Sequence, residues 1–186
     1  MKSNVNPLSL VWLRRDLRLN DHAALYHALQ QPGCVQPVFV FDSDILARFP
    51  DPGDRRLTFI AQALCEIDAQ LRKRGGGILV AHGKAEELIP QLAEALGAAR
   101  VFAAEDYEPG ARARDQAVSK ALSGTLSLVK DQVIFSPAEI LKENGEPYKV
   151  FTPYANAWRA RLMPASGAAY AIDDSGRYAD FEAVRA

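Results

Sequence analysis

Short apolar runs alternate along the chain with longer stretches in which apolar positions recur every three or four residues. Leu8 to Leu13 ends in charge, the pattern of a buried parallel strand whose C-terminal end opens onto a loop. Asn20 and Asp21 offer capping oxygens for a helix over about 21–31, which Pro32 and Gly33 stop. Val35 to Phe41 predicts a second strand, Asp54 to Arg74 a long amphipathic helix ended by Gly75, Gly76 and Gly77, and Ile78 to His82 a third strand. A helix over Lys84 to Leu96, closed by Gly97, precedes a strand at Arg100 to Ala104. A helix over Gly110 to Leu122 and a fifth strand at Leu126 to Lys130 complete the repeat.

Strands alternating with helices need crossover connections, and these are right-handed in nearly all cases. The expectation is a doubly wound, Rossmann-like α/β/α domain with a five-stranded parallel sheet in the order 3-2-1-4-5. That order sets the loops after strands one and four beside a switch point, where such sheets bind ligands. Past Pro137 the pattern gives way to a KENGEPY turn, and Thr152-Pro153 opens a last helix with a cap followed by proline. After Leu162 small and polar residues predict a linker, so the division is a domain over 1–162 and a linker over 163–186.

The length of 186 residues suits one well-cored domain. With 22 basic and 23 acidic residues, a formal charge of -1 excludes the overall field of a strongly basic nucleic-acid-binding module. Cys34 and Cys65 have no partner at metal spacing and are expected to be buried thiols; His22, His27 and His82 are expected to be structural or solvated, with no metal site. The apolar run before Arg14 and Arg15 is too short for a signal segment or a membrane span, so no membrane association and a cytoplasmic location are expected. The run Arg72, Lys73, Arg74 suits a helix C-terminus without invoking nucleic acid.

The first loop, in VWLRRDLRLNDHAAL, sets Arg14, Arg15, Asp16, Arg18 and Asp21 directly after strand one. Chemistry alone leaves two readings level, an Arg/Asp network that ties the loop down or guanidinium groups facing a ligand or partner domain. WLRRDLRLNDHAAL resembles the opening segment of DNA photolyases and cryptochromes, where a W/F-x-R-x-D-L-R-x-x-D string follows the first strand. VFVFDSDIL with RRLTFIAQAL, EDYEPGARARD and EPYKVFTPYANAW resemble three further segments of that family, in order. The resemblance covers residues 10–162 and implies the N-terminal antenna domain of a deoxyribodipyrimidine photolyase, a carbon-carbon lyase for cyclobutane pyrimidine dimers in DNA.

In that family a helical domain holds FAD and the flipped lesion, while the α/β domain often holds an antenna pigment. The resemblance thus implies a chain inactive alone, with no catalytic residues of its own. Its partners would be the helical FAD domain of the same protein and, through the full-length protein, damaged DNA; the chain alone is expected to be a monomer. The alternatives are the same domain of a cryptochrome-type light receptor, or a free-standing nucleotide-binding α/β domain, which no GxGxxG or P-loop supports.

Positions matching the contacts of deazaflavin-binding members are Arg15, Phe39, Phe41, Arg56, Asp106 and Glu108. Phe39 or Phe41 would stack on a ring system, Arg56 would meet an anionic group, and Asp106 or Glu108 would accept hydrogen bonds. Folate-binding members commonly carry an Asn-Glu pair where Gly110 and Ala111 stand here, which ranks a deazaflavin-like or flavin antenna above folate. The bland reading of Phe39, Phe41 and Phe102 is core. Phe151, Tyr154 and Trp158 share a helical face, either packed on this domain or presented to another.

Overall fold

The computed structural model describes residues 7–49, 51, 53–174 and 176–185. Five parallel strands, β1 (Leu8–Leu13), β2 (Cys34–Asp42), β3 (Leu79–Gly83), β4 (Ala98–Ala104) and β5 (Leu126–Val129), form one sheet in the order β3-β2-β1-β4-β5. The crossovers carry α1 (Ala23–Leu29), α2 (Ser43–Leu46), α3 (Arg55–Arg72), α4 (Ala85–Ala95) and α5 (Pro109–Ala121), and α6 (Phe151–Arg161) and α7 (Phe181–Arg185) follow the sheet. The order and class match the reading of the apolar runs. The apolar run before Arg14, read as too short for a signal segment or a membrane span, is β1.

β1 is the centre, with Leu10 to Leu13 almost wholly buried and successive side chains sent to opposite faces. Val11, Leu13, Val35, Phe39 and Phe102 pack under α1 and the C-terminal half of α3 (Leu64, Ile67, Leu71). Leu10, Trp12, Val38, Val40, Val101 and Ala103 pack under α4 and α5 (Ile89, Ala93, Val118). A strand buried on both faces needs no polar alternation, which is why these strands read as unbroken apolar runs.

Three local expectations are corrected. Asp21 does not cap α1: it adopts a positive φ of 48°, and His22 is the cap, its Nδ1 accepting the Leu25 N–H. α6 starts at Phe151 after Val150, with no side-chain cap, so Thr152-Pro153 lies inside its first turn. Cys65 is exposed and Cys34 half-buried, because Cys65 falls on the outer face of α3.

The segment read as a linker returns to the sheet over part of its length. Val35 donates its N–H to the Arg177 carbonyl at 2.8 Å and its own carbonyl accepts the Ala179 N–H at 3.0 Å, a parallel bridge on the outer edge of β2 before β3 begins to pair. Tyr178 and Phe181 lie over Gly76 and Gly77, where an added Cβ would come within 2.5 and 2.4 Å of those side chains. Small residues gave the linker signal, but Tyr178 and Phe181 supply what the return needs. Arg72, from the basic run, stacks on Phe181 and pairs with Asp68, and Arg74 pairs with Asp174.

Candidate functional site

The loops after β1 and β4 leave adjacent strands at the C-terminal edge of the sheet, where the strand order reverses. In the first loop, Asp16 Oδ1 accepts the Arg14 N–H at 2.7 Å and the Asp16 carbonyl accepts the Arg18 N–H at 2.7 Å, so the turn is tight. Consecutive arginines therefore diverge. Arg14 turns inward and Arg15 outward, with side-chain exposures of 8% and 60%.

Arg15 lies between the two predicted acids of the β4 loop, 3.6 Å from Asp106 and 3.3 Å from Glu108. Asp106 is buried, and its Oδ1 accepts the Glu108 N–H at 3.1 Å, which fixes the approach to Pro109 at the start of α5. The contacts of Arg15 are long and solvent-facing, so its guanidinium retains donors for a ligand.

Phe39 and Phe41 meet edge to face at 5.0 Å on the α1/α3 side of β2, in register with Val80 and His82 of β3. Phe39 is core, as the bland reading had it. Phe41 is only partly buried, Val80 is half exposed, and no residue in the first half of α3 is buried. Phe59 on that half is 69% exposed, so apolar surface lies open along this side.

Arg56 does not join Asp106 and Glu108. Its guanidinium is bonded to Asp54 at 2.5–3.2 Å and lies over the Phe49 ring at 4.0 Å. The cause is local, since Asp54 caps α3 and its carboxylate sits two residues away from Arg56. The Arg56 side chain beside Asp54 holds that carboxyl down at about 2.

Sequence reasoning missed a buried network on the opposite face. Arg14 donates to Asp115 of α5 and to the Ala104 carbonyl, and Arg114 pairs with Asp42 at the end of β2 at 3.6 Å. The two guanidinium carbons lie 4.8 and 5.5 Å from the Trp12 ring. A carboxylate at Asp115, on the same stripe of α5 as buried Ala111 and Val118, was the available signal. The network ties β1, β2, β4 and α5 together and fulfils the tying reading for Arg14, while Arg15 stays outward beside Asp106 and Glu108.

A separate cleft of about 620 Å³ lies across the first loop, lined by Arg18, Lys130, Asp131, Phe135 and Tyr170 among others, and by none of the six predicted residues. Its cations are engaged, Arg18 with Asp131 at 2.7 Å and Lys130 with Glu139 at 2.8 Å. Of the aromatic stripe, Trp158 packs edge-on against Phe135, whereas Phe151 is exposed. Among the described residues no His/Cys/Asp/Glu group could hold a metal ion, and no helix is long and apolar enough to cross a membrane.

A family model described as DNA photolyase matches residues 9–171. The chain belongs to the DNA photolyase family. The deoxyribodipyrimidine photo-lyase of a Synechococcus strain is 35% identical over 158 residues, covering 83% of this chain and 32% of that protein. A bacterial class III photolyase from Agrobacterium tumefaciens superposes with a TM-score of 0.75 at 28% identity, over 88% of this chain and 34% of that one. An archaeal photolyase from Sulfolobus tokodaii, whose structure holds two FAD molecules and implies a novel light-harvesting cofactor, gives 0.65 at 26% identity, over 80% and 34%. This photolyase-family domain therefore spans about a third of the length of these relatives.

Acid should probe the first loop, which carries Arg15. Burial pushes the Asp16 carboxyl up, but the His22 ring and the Arg14 N–H together outweigh it and hold the group below its ordinary 3.8. A depressed native value means stability that is complete above about pH 4 and lost as the pH falls through that lower value. Chemical denaturation across this range should show the loss in the wild type and a flatter profile in Asp16→Asn.

Proposed function

We propose that this domain is the antenna module of a cytoplasmic deoxyribodipyrimidine photolyase, with a deazaflavin or flavin pigment at the C-terminal edge of the sheet. The observation that carries the reading is the convergence of Arg15, Asp106 and Glu108 across the β1–β4 switch point. Arg15 would meet an electron-rich or anionic edge of the pigment, and Asp106 and Glu108 would accept from its N–H or hydroxyl groups. Phe41, with Phe39 behind it, would wall the ring system. Arg56 would take part only by exchanging Asp54 for an anionic group of the pigment.

The pigment supplies light absorption and energy transfer, and this chain's residues bind it, orient it and shield one side from water. The FAD that acts on the dimer, and the damaged DNA, would belong to a helical domain of the same protein. The Sulfolobus relative with two FAD molecules supports a flavin in the antenna role, and Gly110 and Ala111 lend no side-chain hydrogen bond to a folate.

The test is titration of the protein with FMN and with 8-hydroxy-5-deazariboflavin, followed by pigment fluorescence. Arg15→Ala should weaken binding about tenfold, the loss of one hydrogen bond to a charged group, and Arg56→Ala should weaken it less. Equal binding by wild type and Arg15→Ala would place the pigment elsewhere. Irradiation of these 186 residues with dimer-containing DNA should give no repair, and repair by them alone would overturn the assignment as an antenna module.

A further inference from the structure

His22 is wholly buried in a position where neither packing nor the proposed pigment contacts require an imidazole. Its Nδ1 accepts the Leu25 N–H at 3.1 Å, so in the neutral ring the hydrogen sits on Nε2. Nε2 lies 3.0 Å from Asp16 Oδ2, a close polar contact whose angle falls short of a well-formed hydrogen bond, and neither atom has a hydrogen-bond partner elsewhere among the described residues. The other carboxylate oxygen of Asp16 holds the Arg14 N–H. The remaining charged groups around the start of α1 are accounted for. Asp131, from the segment after β5, accepts the Ala23 N–H at 3.1 Å and pairs with Arg18, while the Arg14 guanidinium points away to Asp115.

An imidazole and a carboxylate buried together cost desolvation that an apolar pair would avoid, and here each also holds a backbone N–H, that of Leu25 for the ring and that of Arg14 for the carboxylate. Resting on the pigment reading of the site, we propose that His22 and Asp16 are positioning residues. Leu25 N–H locks the ring as its Nε2–H tautomer, the ring fixes Asp16, and Asp16 fixes the Arg14 amide and with it the divergence of Arg14 and Arg15. The relay acts through Arg15 and touches no pigment itself. It needs one acceptor and one donor on the same side chain, which asparagine can supply and leucine cannot.

The experiment uses the whole chain in three forms, wild type, His22→Leu and His22→Asn. The readouts are the ring nitrogen and backbone amide resonances of the pigment-free protein and the affinity for FMN. The wild-type ring should show the Nε2–H tautomer. The Arg14 amide resonance should move in His22→Leu and return in His22→Asn, with FMN affinity about tenfold weaker in the first and within about threefold of wild type in the second. An Nδ1–H tautomer in the wild type overturns the proposal and needs no variant to fold. So does an Arg14 amide unmoved in His22→Leu, or a loss of affinity that His22→Asn shares in full. If the wild type itself binds neither FMN nor 8-hydroxy-5-deazariboflavin, the pigment reading fails, and the tautomer and the Arg14 amide still decide the relay.

Discussion

Asp115→Ala should lower the unfolding free energy by about 3–5 kcal/mol, the range for removing one partner of a buried ion pair. Both side chains are more than nine-tenths buried, so water cannot replace the lost carboxylate at little cost. Arg14 would keep the Ala104 carbonyl and the face of Trp12, neither of which carries a compensating charge. Most of the loss is therefore the stranded guanidinium rather than the net worth of the pair. That distinction is measurable. Asp115→Asn should cost less, because it keeps a neutral acceptor, and Arg14→Met with Asp115→Leu should recover much of the deficit by removing both charges. Urea unfolding followed by circular dichroism gives the three values. A deficit below about 1 kcal/mol in Asp115→Ala, the level of an exposed pair, would show that water reaches Arg14 and that the network does not hold the edge of the sheet.

The same residue marks the limit of what the sequence makes legible. Strand runs, helix stops and the switch point follow from local patterning, and the structure returns them with no boundary shifted by more than two residues. Burial on both faces writes a strand as an apolar run, and glycine writes a helix end, as at Gly97 with φ +62°. Pairings between charged groups distant in the chain leave no such trace. Arg14 and Arg15 are identical residues side by side, and only the tight turn at Asp16 sends one to Asp115 and the other to Asp106 and Glu108. Arg56 shows the converse, a residue assigned by position whose side chain is taken by a carboxylate two residues away, at no cost in loop closure. His22 reads from the sequence only as a structural or solvated histidine without metal spacing, and its contacts with Leu25 and Asp16 are visible only in the fold.

Gly33→Ala should cost about 3 kcal/mol or more, and the reason is a backbone atom rather than the residue's conformation alone. Gly33 has φ +93°, which disfavours any L side chain, and a Cβ there would fall 1.8 Å from the Pro7 carbonyl oxygen. That oxygen accepts the Cys34 N–H at 3.0 Å at the start of β2, so it cannot withdraw without breaking the bond. The alternative movement, of Gly33 itself, meets a second restraint. The Gly33 carbonyl accepts from Arg177 Nε at 3.0 Å, and the same guanidinium donates to the Gln31 carbonyl at 2.5 Å. Arg177 in turn leads the bridge to Val35 that brings Tyr178 over Gly76. A displaced Gly33 should therefore loosen the returning C-terminal segment as well as destabilise the domain, and limited proteolysis should cut around residues 174–180 faster in the variant. Gly97→Ala is the control, with φ +62° and no atom within 4 Å of the added carbon, so it should cost only the conformational strain of about 1–2 kcal/mol. If the two variants unfold at the same denaturant concentration, the Pro7 contact relaxes freely and the segment is not held through Gly33. A larger loss in Gly33→Ala with faster cleavage shows that one carbonyl couples the first strands of the sheet to residues more than 140 positions later in the chain.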